Sequence, residues 1–124
     1  MTPTCKILVV DDNVDAANSL VELLAVCGYP ACAIYEGREA VLLAEVLRPT
    51  LVLMDIDMPG MDGFDTAACM LRAAADLPPR LVALTGRSSD RDRSLSASAG
   101  FDLHLCKPIR CEQLCELAEV AYQT

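Results

Sequence analysis

LVLMDIDMPGMDG, Leu51 to Gly63, is the stretch whose reading decides the fold. Leu51 to Met54 form an unbroken apolar run, and then Asp55, Asp57 and Asp62 place three carboxylates within eight residues, with Pro59, Gly60 and Gly63 among them. A strand with helices over both of its faces has no polar side, so it reads as continuous hydrophobicity rather than alternation. The run therefore predicts a buried parallel strand, and the acids mark its carboxyl end. Like charges at such a place repel one another and need something to offset them.

Working outward, the same signature recurs. KILVV (6–10), ACAIY (31–35), TLVLM (50–54), RLVAL (80–84) and DLHLC (102–106) read as five strands. Helical patterns lie between and after them. The clearest covers 14–27, where Val14, Ala17, Val21 and Leu24 share one face, Asn13 can cap the start, and Gly28 with Pro30 can end it. Further helices fit 37–47, 64–75, 88–99 and 111–122, the segment SSDRDRSLSASA (88–99) being the most polar. Strands alternating with helices predict one doubly wound (βα)5 α/β domain over 1–124, with right-handed crossovers.

Size and charge narrow the function. A chain of 124 residues, 53% hydrophobic, can bury one core. No apolar run is long enough to span a bilayer. MTPTCKILVV has one lysine before a short apolar run and no small-residue cleavage site, so no membrane insertion or secretory signal is expected, and the expected location is cytoplasmic. The formal charge of −8 opposes direct nucleic acid binding through phosphates. Seven cysteines, Cys5, Cys27, Cys32, Cys69, Cys106, Cys111 and Cys115, are an odd number, and are expected to be small buried thiols rather than disulfides. Cys111 and Cys115 share helical spacing, with His104 and Cys106 nearby, but no C-x-x-C pair supports zinc.

In doubly wound sheets the site lies beyond the carboxyl ends of the strands, where strand order reverses. Asp11 and Asp12 follow the first strand, Asp55 ends the third, Thr85 the fourth and Lys107 the fifth. Taken singly, each is an ordinary solvated residue; five at four strand ends are a constellation. Three carboxylates in one cleft suit a divalent cation such as Mg²⁺, which takes oxygen ligands and keeps waters that phosphate oxygens can replace. Lys107 adds a point charge and Thr85 a hydroxyl donor. The set describes phosphoryl transfer, with Asp55 as the acceptor, because carboxylates form aspartyl phosphates.

ILVVDDN, LVLMDIDMPGMDG, LVALTG and HLCKP, in this order, resemble the receiver domain of two-component response regulators over essentially the whole chain. The resemblance implies a flavodoxin-like, CheY-like sheet of order 2-1-3-4-5. It implies that Asp55 takes a phosphoryl group from a histidine kinase or a histidine phosphotransfer protein. Asp12 would bind Mg²⁺ directly, Asp11 through water and Asp57 through its backbone carbonyl. Thr85 and Lys107 would contact the phosphoryl oxygens. Movement of Thr85 would let residue 104 turn inward and reshape the face of the fourth helix, fifth strand and fifth helix, signalling to a downstream partner or output domain. Pro108 matches a family position that is often a cis peptide, while a trans loop proline is the generic expectation. The tail FDLHLCKPIRCEQLCELAEV resembles receivers attached to hybrid histidine kinases.

Two positions depart from the pattern. His104 stands where many receivers carry Tyr or Phe, and an imidazole there could make the output pH-sensitive. Asp57 and Arg87 each lie two residues beyond a site residue, could pair, and are expected to modulate phosphate lifetime. Other functions compete. Asp55-Ile56-Asp57 resembles the D-x-D pair of haloacid-dehalogenase-type phosphatases, but those enzymes place it after the first strand and carry a cap. A phosphate-independent scaffold would not require the full set of site residues. A phosphoacceptor rather than a turnover enzyme is the expectation.

Overall fold

The computed structural model describes residues 5–58, 63–74, 76–86 and 98–123. The strands are β1 (Ile7–Val10), β2 (Ala31–Ile34), β3 (Leu51–Asp55), β4 (Arg80–Thr85) and β5 (Leu103–Cys106). They form one sheet of order β2-β1-β3-β4-β5, every neighbouring pair parallel. The helices among the described residues are α1 (Val14–Val26), α2 (Gly37–Leu47), α3 (Gly63–Ala73) and α4 (Cys111–Gln123). The helix expected over 88–99 lies largely outside the described residues, as do Pro59, Gly60, Asp62 and Arg87.

Alternation along the strands divides the core in two. Ile7, Val9, Leu51, Leu53, Val82 and Leu84 meet Ala17 and Leu24 of α1 and Leu114, Leu117 and Ala118 of α4. Leu8, Val10, Val52, Met54, Leu81 and Ala83 meet Ala40 and Ala44 of α2 and Ala67 and Met70 of α3. This two-sided burial explains the continuous apolar runs, since β1 and β3 are buried at every position. Each fully buried Leu, Val or Met contributes roughly 1.5–3 kcal/mol.

Local signals set the helix ends. Asn13 Oδ1 accepts from Ala16 N at 3.1 Å and caps α1. Gly28, at φ 93°, turns the chain out of that helix in a left-handed conformation that side chains resist. Gly63 opens α3 for a different reason: a Cβ there would stand 2.5 Å from Ile56 Cα and 2.9 Å from the Asp55 carbonyl oxygen. Only a residue without a side chain lets α3 approach the end of β3 so closely.

The expectation of buried thiols holds for Cys5 alone. Cys27, Cys32, Cys69, Cys106 and Cys115 are half-buried and Cys111 is exposed. The second correction concerns grouping. Cys111 and Cys115 are not gathered with His104 and Cys106; the sulfurs that cluster are those of Cys27, Cys111 and Cys115. His104 and Cys106 belong to β5, while Cys27 closes α1 on the face that α4 covers.

Candidate functional site

The pairing register builds the site before any side chain is considered. Val10 stands beside Met54, so the next residues, Asp11 and Asp55, emerge side by side from β1 and β3. Asp55 itself pairs with Leu84, which brings Thr85 to the same rim, and Thr85 pairs with Cys106, which delivers Lys107. Backbone bonds hold these ends: Asp11 N to Ile34 O at 3.0 Å, Ile56 N to Leu84 O at 3.1 Å, and Lys107 N to Thr85 O at 2.8 Å. Every expected site residue on a described strand end therefore reaches one rim.

The carboxylates of Asp11, Asp12 and Asp55 bring oxygen atoms within 4.8 Å of one another, a group that could hold a metal ion. Asp11 and Asp55 are 1% and 6% exposed, whereas Asp12 is open to solvent. Lys107 Nζ lies 3.2 Å from Asp11 Oδ2 and 3.5 Å from Asp55 Oδ2, so one ammonium serves two buried acids. The Lys107–Pro108 peptide is cis. Asp11 Oδ1 also accepts from Asn13 N at 2.9 Å, and Asp55 Oδ1 from Asp57 N at 3.0 Å.

These contacts tune the charges. Burial pushes the Asp55 carboxyl above its ordinary value; the Asp57 N–H draws it down, the neighbouring Asp11 charge pushes it up again, and Lys107 only partly compensates. For Lys107, burial works to lower the value, but the charges of Asp55 and Asp11 outweigh it and hold the ammonium above the usual lysine range. Three acids facing one lysine leave the rim short of positive charge. A hard cation with oxygen ligands is the chemistry this donor set fits.

Two contacts were not foreseen in the sequence. The Thr85 hydroxyl donates to Asp57 Oδ2 at 3.3 Å, linking two residues assigned separate roles. Gly63, read as part of a turn, abuts the backbone of the phosphoacceptor candidate. His104 is half-buried and pairs with Ala83, two residues before Thr85. By strand alternation, His104 and Thr85 project from the same face of the sheet.

The family model of the response regulator receiver domain matches residues 7–119. The chain belongs to that family. Among curated relatives, the DNA-binding response regulator MtrA of Mycolicibacterium paratuberculosis is 36% identical over 109 residues, which are 88% of this chain and 47% of that protein. The response regulator MprA of Mycolicibacterium vanbaalenii is 37% identical over 109 residues, 88% of this chain and 46% of that protein. The receiver thus spans about half the length of these relatives. In fold it is similar to the chemotaxis protein CheY4 of Vibrio cholerae, with a TM-score of 0.86 at 24% identity, covering 96% of this chain and 99% of that one. Asp55-Ile56-Asp57 is accordingly part of a receiver and not the D-x-D pair of a dehalogenase-type phosphatase. No helix among the described residues is long and apolar enough to cross a membrane.

Proposed function

We propose that Asp55 is the phosphoacceptor of this receiver and that Asp11, Asp12 and the backbone carbonyl of Asp57 hold Mg²⁺ beside it. A carboxylate oxygen of Asp55 attacks the phosphorus of a phosphohistidine, the P–N bond breaks as the P–O bond forms, and the imidazole leaves. The phosphohistidine belongs to a histidine kinase or a histidine phosphotransfer protein. When bound, Mg²⁺ would offset the charge between the carboxylates and the incoming phosphoryl oxygens. Lys107 holds Asp55 in place and meets the oxygens once they arrive. The observation that carries this reading is the placement of Asp55: buried at a strand end, beside Asp11, with the lysine 3.5 Å away.

Phosphate then competes with Asp57 for the Thr85 hydroxyl. Thr85 turning toward the phosphoryl group vacates space on the face it shares with His104, and the side chain at 104 moves inward. The signal passes through β5 and α4, together with the segment 88–99, to a downstream partner or an attached output domain. The same Thr85–Asp57 contact makes Asp57 the residue whose replacement alters phosphate lifetime; Arg87 is assigned the same modulating role. The chain works as a phosphoacceptor that dephosphorylates itself rather than as an enzyme turning over external substrates, and its setting is the cytoplasm.

The test is incubation with acetyl phosphate, with and without Mg²⁺, followed by intact mass measurement. A base-labile addition of one phosphoryl group should form on the wild type only with Mg²⁺ and be absent from Asp55→Asn. An equal addition on both proteins would refute the assignment.

A further inference from the structure

Among the described residues, the acidic rim leaves one cluster of ligating side chains unused. Cys27, at the end of α1, and Cys111 and Cys115, on the first turns of α4, bring three sulfurs within 4.8 Å of one another. The Cys115 thiol donates to Cys27 Sγ at 3.0 Å, and Cys111 Sγ lies 4.0 Å from Cys115 Sγ. None of the three takes part in the phosphoryl-transfer site.

We propose that Cys27, Cys111 and Cys115 form a three-thiolate site for a thiophilic metal ion of the zinc class, separate from the magnesium site. Three observations support it. The first is size: a metal–sulfur bond of about 2.3 Å in tetrahedral geometry spaces sulfurs about 3.8 Å apart. The observed separations bracket that spacing, so sub-ångström adjustments would seat the ion.

The second is rigidity, because the ligands come from helices rather than loops. Cys111 and Cys115 are one helical turn apart on a single face of α4, and Cys27 closes α1, which packs on the same side of the sheet. The third is access: Cys111 is exposed while Cys27 and Cys115 are half-buried, giving an entry path from solvent and a fourth position for water.

Ligand softness separates the two sites. Sulfur donors select zinc or monovalent copper, whereas the oxygen donors of the acidic rim select magnesium. The consequence for the molecule is a clamp. Cys111 follows the segment Lys107–Arg110, so an ion there ties the start of α4 to the end of α1 just beyond the site lysine.

Cadmium is the probe, because its thiolate charge-transfer absorption reports sulfur ligation and is silent for carboxylates. The reduced, metal-free protein is titrated with Cd²⁺ and then challenged with Zn²⁺, alongside Cys27→Ser, Cys111→Ser, Cys115→Ser and Cys32→Ser, with far-ultraviolet circular dichroism confirming the fold of each. The proposal expects a band that saturates at one equivalent, is weakened only by a large molar excess of Zn²⁺, and persists in Cys32→Ser. Each of the other three variants should weaken Cd²⁺ binding by roughly tenfold or more. Absence of the band, its full retention in Cys111→Ser, or its loss in Cys32→Ser would overturn the proposal. Cys111 is exposed, so its serine variant keeps the packing and decides the matter even if another variant unfolds.

Discussion

The two ends of this sheet handle polar groups in opposite ways. At the amino end they pair off: Thr50 N and Leu51 N donate to Lys6 O at 2.9 and 3.1 Å, Arg80 N donates to Thr50 O at 2.9 Å, and Thr50 Oγ1 donates to Ala121 O at 2.9 Å. The Tyr122 hydroxyl donates to Pro30 O, and Lys6 Nζ sits 5.6 Å from the Tyr122 ring centroid. At the carboxyl end, Asp11, Asp12 and Asp55 crowd about one lysine. Neutral hydrogen bonds seal one rim and stabilise the fold. The other rim carries charge that the protein alone does not neutralise, which costs stability and gathers carboxylates that could hold a metal ion.

The largest expected effect falls on the charged rim: Asp55→Asn should abolish phosphorylation by acetyl phosphate, while Thr50→Val at the sealed rim should leave its rate unchanged. Comparable losses from both would erase the distinction between the two ends. Gly63→Ala comes next. Its methyl would collide with the backbone of Ile56 and Asp55, so denaturant unfolding should show a loss of about 1–3 kcal/mol together with slower phosphorylation. Unchanged values of both would mean that α3 can retreat without disturbing the site.

Thr50→Val removes the hydroxyl bond to Ala121 O and should cost about 1 kcal/mol in the same measurement. The smallest effect has the opposite sign. In metal-free buffer near neutral pH, Asp55→Asn should stabilise the protein by on the order of 0.5–1 kcal/mol, because it removes one of the crowded charges. Burial and Asp11 raise the Asp55 pKa on folding, so the folded state holds that proton more tightly than the unfolded chain. The penalty is therefore full above the raised value and disappears as pH falls below the ordinary carboxylate range of about 3.9. Denaturant melts of both proteins across that range should converge at acid pH; a gap independent of pH would contradict the electrostatic origin.

Much of this division was legible in the sequence. The unbroken runs at Leu51–Met54 and Leu81–Leu84 announce strands buried on both faces, and the residues that end them, Asp55 and Thr85, stand out because polarity begins abruptly there. Parallel strands place their carboxyl ends at one edge, so Asp11, Asp55, Thr85 and Lys107 could be gathered from topology alone. What local pattern could not carry was pairing between side chains distant in sequence. Cys27 and Cys115 are 88 residues apart, and no spacing rule brings them to 3.0 Å. The Thr85–Asp57 bond depends on rotamers, and the tight approach at Gly63 depends on how α3 packs over β3. Turn chemistry and closest packing give glycine the same sequence signal.

Chemical trapping tests the central claim most directly. Protein phosphorylated by acetyl phosphate in the presence of Mg²⁺ is reduced with borohydride, which converts an aspartyl phosphate to homoserine, and then digested and sequenced by mass spectrometry. Homoserine at position 55 and at no other aspartate is the expected result. Homoserine at Asp11, Asp12 or Asp57 with Asp55 intact would contradict the account.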